Sequence, residues 1–109
     1  MSEPSRIEQF KEVVALFPDD VVARFGLATA YLEAGEVADA VREFQRVVDM
    51  KSDYTAAYRG LGRSLERLNR IEEAKEVYRQ GISVGERTGD LQTKKEMEVF
   101  LHRLEQRRG

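Results

Sequence analysis

Arg24–Met50 reads RFGLATAYLEAGEVADAVREFQRVVDM, and Tyr58–Val84 reads YRGLGRSLERLNRIEEAKEVYRQGISV. Superposed at an offset of 34 residues, Leu27 meets Leu61, Ala28 meets Gly62, Tyr31 meets Leu65, Ala40 meets Ala74, Phe44 meets Tyr78 and Val48 meets Ile82. Large, small and aromatic residues recur in the same order, a stronger sign of an internal repeat than shared hydrophobicity. Within a unit, Leu27, Tyr31 and Ala34 are spaced for one helix face, and Val37, Val41, Phe44 and Val48 for another. The unit is therefore a pair of helices. Gly35 ends the first helix, where a left-handed residue costs little, and Asn69 holds the same place in the second unit. Small residues at Ala28, Gly62, Ala40 and Ala74 let the paired helices approach closely, so a Leu at Ala40 or Ala74 overpacks that contact.

These residues resemble the tetratricopeptide repeat family, whose 34-residue unit carries an aromatic, then Leu-Gly, Tyr, Ala, Phe, Ala and Pro at set positions. Counted from Val21, the residues Leu27, Ala28, Tyr31, Gly35, Ala40 and Phe44 fall on the pattern. Counted from Thr55, Tyr58, Leu61, Gly62, Ala74 and Tyr78 do. Arg24 departs from the early aromatic, Val47 and Gly81 from the late Ala, and Ser52 and Glu86 from the closing Pro. The resemblance implies an all-α fold, an α-α superhelix of antiparallel helix hairpins. Its units occupy 21–54 and 55–88, and the first helix of each lines the concave side of a brief right-handed turn.

The same register explains the flanks. Phe10–Asp20 reads FKEVVALFPDD, and Phe44, Val47, Val48 and Ser52 map back onto Phe10, Val13, Val14 and Pro18. Residues 4–17 thus read as the second helix of a half repeat. Ala40 and Ala74 map to Arg6, which suits an open edge, and Ile7, Val14 and Phe17 are the apolar positions expected there without neighbours. At the other end Asp90 is a good N-cap, and Met97, Phe100, Leu101 and Leu104 form an apolar stripe. A strict register sets Lys95, Glu96 and Val99 at the Leu, Gly and Tyr positions, and a slip of two residues moves Met97 and Leu101 into them. The expectation is a turn about two residues longer near Gly85–Asp90. A capping helix over 90–107 follows, with Lys94, Glu98 and Glu105 on its polar outer face. Six helices in a single domain result.

Composition narrows the function. The 109 residues are 41% hydrophobic and 35% charged, a balance that suits long solvated helices. Residues 1–54 hold six Lys/Arg against eleven Asp/Glu, and residues 55–109 hold twelve against nine. An acidic half joined to a basic half argues against a general nucleic-acid binder. The absence of cysteine excludes disulfides, thiolate metal sites and a cysteine nucleophile, and suits a reducing compartment. No apolar run approaches a membrane span and no signal peptide is visible, so a soluble, cytoplasmic protein without membrane contact is expected. His102, the one histidine, has no cysteine or triad partner. Glu72 and Glu73 sit at a helix start, where carboxylates favour the dipole. Gly60 and Gly62 lie inside a helix with no strand before them, so they form no phosphate loop, and helix packing or tolerance next to a groove explains them better. No enzyme, cofactor or metal site is expected.

Arg59, Arg63 and Arg67 recur every four residues and share one helix face. In the family's register they are positions 5, 9 and 13, which the resemblance places in the concave groove where such arrays hold peptides. The first unit puts Phe25, Thr29 and Glu33 there, beside Val22 and Leu32, and the slipped cap helix offers Lys95, Val99 and Arg103. A groove apolar at one end and cationic at the other follows. A protein or peptide with hydrophobic and acidic residues, or a free C-terminal carboxylate, matches it. Some family members clamp a carboxylate with an Asn at position 9, which neither unit has. Glu66 is spaced to pair with Arg63 and Arg70 as an ordinary solvated face. The alternative role is structural: two copies pairing as a homodimer, edge to edge through the first helix.

Overall fold

Three of the helix starts carry a side-chain cap. Ser5, Asp20 and Asp90 accept a backbone N–H from Glu8, Ala23 and Thr93 at 3.1–3.2 Å, as N-caps do. The computed structural model describes residues 5–107, and these fold into six helices: α1 (Arg6–Leu16), α2 (Val21–Glu33), α3 (Val37–Met50), α4 (Thr55–Arg67), α5 (Ile71–Thr88) and α6 (Leu91–Gln106). The helix expected over 4–17 spans Arg6–Leu16, and Pro4 lies outside the described residues. Its Phe17 is the C-cap.

α2 and α4 stop in the same way. Gly35 has φ +82° and Asn69 φ +60°. The N–H of Glu36 reaches back to Tyr31 O and that of Arg70 to Leu65 O, both at 2.9 Å, which closes the carbonyls a helix end leaves orphaned.

The helices form two rows, α1, α3 and α5 behind α2, α4 and α6, with each helix packed on its chain neighbours and α4 also touching α2 and α6. The radius of gyration, 14.3 Å, exceeds the ~13 Å of a compact chain of about 100 residues, as a stack should. Ala28, Ala40 and Ala74 are fully buried where the rows meet. Phe44 and Tyr78 fill the centre. The joint between repeats is a ring over a bare backbone. Phe10 lies over Gly26 and Phe44 over Gly60, and a Cβ at either glycine would collide with the ring. Arg24, at the family's aromatic position, is also buried, with its guanidinium 2.8 Å from Glu43.

The two-residue slip takes a different form from the longer turn expected near Gly85–Asp90. α5 runs 18 residues against 14 for α3, and only Gly89 and Asp90 separate it from α6. The reason is composition: Ser52 and Asp53 favour a turn after α3, whereas Glu86 and Arg87 continue α5 until Gly89, at φ +82°, stops it.

The N-terminal edge also differs in detail. α1 buries none of its residues completely. Phe17 is exposed, as are Val13 and Leu16, whereas Ile7 and Val14 are half-buried. Arg6 pairs with Glu33 at 3.0 Å and lies over the Phe10 ring.

Candidate peptide-binding groove

A groove of about 340 Å³ opens on the row formed by α2, α4 and α6. α2 contributes Phe25, Thr29 and Leu32, spaced along one face of the helix. α4 contributes Ala56, Arg59, Gly60 and Arg63, and α6 contributes Phe100. Phe44 of α3 reaches the floor because Gly60 has no side chain to cover it. Phe25 stands edge-on to Phe44 at 5.7 Å and beside Tyr54 at 5.0 Å between ring centroids, which fixes its rotamer.

The rim is cationic and ordered. Arg59 donates to Glu96 of α6 at 2.6 Å. The Arg63 guanidinium lies 4.3 Å from the Phe100 ring centre, a cation–π contact, and pairs with Glu66 at 3.5 Å. Glu66 in turn accepts the Tyr78 hydroxyl. Tyr78 is fully buried, and burial first, then the Glu66 carboxylate, push its hydroxyl far above the usual tyrosine range. A chain of contacts thus runs from the core through Glu66 to a guanidinium at the groove mouth. The expected Glu66–Arg70 pair is replaced, because Arg70 turns to Glu73 at 2.5 Å and the hydrogen bond lowers that carboxyl's pKa.

Of the residues the spacing singles out, Phe25, Thr29, Leu32, Arg59 and Arg63 line this groove together. Val22, Arg67 and Lys95 do not. Val22, in the first turn of α2, is 66% exposed. Arg67 donates to Leu32 O at 3.0 Å, one of the carbonyls at the end of α2, and Lys95 is exposed. Gly60, expected to serve helix packing or to be tolerated next to a groove, lies in the lining, and Phe44, Ala56 and Phe100 complete it without having been singled out for it. Ala56 carried a signal, since it is Val22 moved on by one repeat. Phe44 and Phe100 lie on apolar stripes that read as core.

Among the described residues no cluster of His, Cys, Asp and Glu is placed to hold a metal ion, and no helix is long and apolar enough to cross a membrane.

Residues 7–55 and 25–88 match the tetratricopeptide repeat family. The TPR repeat-containing protein PA0015 of Pseudomonas aeruginosa is 33% identical over 102 residues, covering 94% of this chain and 97% of that protein. The chain belongs to the tetratricopeptide repeat family. Among solved structures, the TPR2B domain of yeast Sti1 in complex with pHsp70 superposes with a TM-score of 0.87 at 13% identity, over 94% of this chain and 82% of that one. The first TPR of Spaghetti (RPAP3), bound to the HSP90 peptide SRMEEVD, superposes with a TM-score of 0.81 at 23% identity, over 92% and 75%. At these identities the two share the fold.

Proposed function

We propose that the chain is a non-enzymatic interaction module that holds a segment of another protein, carrying acidic and apolar side chains, in the groove between α2, α4 and α6. One observation carries the reading: an aromatic floor, Phe25, Phe44 and Phe100, bordered by the guanidinium groups of Arg59 and Arg63. An apolar side chain loses water against such a floor. Arginine forks engage carboxylates, side-chain or C-terminal, with two parallel hydrogen bonds. Two fold neighbours are solved with pHsp70 and with the peptide SRMEEVD, which supports a peptide as the occupant. The groove is small, so weak binding is the expectation.

The test is an NMR titration with the heptapeptide SRMEEVD and its carboxylate-free counterpart SRMQQVN-amide. The acidic peptide should shift amides of Phe25, Leu32, Arg59, Arg63 and Phe100. Replacing Arg59 and Arg63 by Glu should abolish the effect while circular dichroism stays helical. Equal binding of the carboxylate-free peptide, or binding that survives the double replacement, overturns the reading.

A second reading, self-association through α1, is favoured by one comparison. Val13 is 38% exposed, whereas Val47, its counterpart one repeat on, is fully buried, and Leu16 and Phe17 extend the apolar surface. Light scattering over a range of concentrations decides it: a constant monomer mass rejects a homodimer.

A further inference from the structure

We infer that Glu96 is a built-in stand-in for a ligand carboxylate: it holds Arg59 at the groove edge, and an acidic ligand binds there by displacing it. This rests on the groove reading above and adds to it the place of the ligand's carboxylate and the group that competes for that place.

Register supplies the first argument. α6 starts at Leu91 and α4 at Thr55, so Glu96 stands where α4 has Gly60 and α2 has Gly26. At those two positions the bare backbone accepts the ring of Phe44 or Phe10. At the third joint the corresponding ring, Tyr78, is turned to Glu66 and packs 5.7 Å from Phe100. Packing therefore asks for no carboxylate at 96. Where the two preceding joints have a glycine, this one has a charged side chain, and that side chain reaches the arginine rim.

Partners supply the second. Arg67 is held by a backbone carbonyl of α2. Arg63 is held by Glu66 on its own helix and by the Phe100 ring. Arg59 alone among the three pairs with a carboxylate from a facing helix, across 37 residues of chain. It sits beside Gly60, where the floor is open to a ligand's apolar side chain.

Energetics supply the third. The Arg59 and Glu96 side chains are 34% and 40% exposed, so solvent screens the pair. A screened pair of this kind is worth at most about fivefold in an equilibrium constant, small enough for a ligand carboxylate to exchange with it. A neutral segment gains nothing from Arg59 while Glu96 holds it. The exchange thus selects acidic segments over merely apolar ones.

The experiment is calorimetric titration of SRMEEVD into the wild-type chain, Glu96→Gln, Arg59→Gln and the double variant, with thermal melts to establish that all four fold. Glu96→Gln should bind about two- to fivefold more tightly than wild type. Arg59→Gln and the double variant should bind alike, because no cation remains to be released. If wild type binds and Glu96→Gln binds no tighter, Glu96 only clasps α6 to α4, and this inference fails while the groove reading stands. If neither wild type nor Glu96→Gln binds, both fail together.

Discussion

Arg24 and Tyr58, 34 residues apart, make the same hydrogen bond in successive repeats: the Arg24 guanidinium donates to Pro18 O at 3.1 Å, and the Tyr58 hydroxyl to Ser52 O at 2.7 Å. Both side chains are almost wholly buried. What this place in the repeat requires is a long body that fills the core with a donor at its tip. Arginine meets that requirement, and Glu43 neutralises the charge it brings.

Arg24→Ala should therefore cost more than a surface ion pair. It strands the mostly buried Glu43 carboxylate and leaves Pro18 O without its donor. A loss of about 2–4 kcal/mol in urea unfolding is expected, toward the range for breaking a buried pair. Removing Glu43 as well should restore part of it, so the double variant loses less than the two single losses together.

Gly60→Ala should behave against helix propensity. In an open helix the change stabilises by roughly 1 kcal/mol. Here the new Cβ meets the Phe44 ring, which is 2% exposed and has little room to retreat. A net loss of about 1–3 kcal/mol is expected, as for other overpacked cores. A raised melting temperature would show that the ring swings aside.

Tyr78 sets an alkaline limit. Its folded pKa lies above the unfolded value of about 10. The stability tied to its protonated hydroxyl is complete below about pH 10 and is lost as pH rises from there toward the folded value. Burial raises Tyr54 and Tyr58 in the same sense. Tyr78→Phe isolates the contribution: its urea midpoint should fall less steeply with alkaline pH than that of wild type. Parallel slopes for the two proteins would contradict this.

The repeat was legible because its small and left-handed positions have almost no alternatives. Ala40 and Ala74 sit where any larger side chain overpacks, and Gly35 and Asn69 where φ is positive. Those constraints are local and leave a mark in the sequence. The groove was legible only in part. Helical period says which face a residue takes, so Phe25, Thr29, Leu32, Arg59 and Arg63 could be grouped. It does not say which neighbour captures a charge. Arg67 went to a carbonyl in the last turn of α2, Arg70 to Glu73, and Arg63 to a ring on α6. Nor does it say that a glycine uncovers a core ring, which is how Phe44 comes to the floor. The length of α5 depended on where a stop signal was missing, and four residues, Gly85–Thr88, carried it on to Gly89.

α1 packs on α2 alone and buries none of its residues fully, while α4 touches four other helices. Cooperativity in such a stack passes only between nearest neighbours. Opening of α1 is then a sub-global event, reached at lower free energy than unfolding of the centre. Amide exchange should run fast through Glu8–Leu16 and slowest in α4. Because the groove lies on α2, α4 and α6, with Phe44 at its floor, the molecule can release its first helix and still present its binding surface.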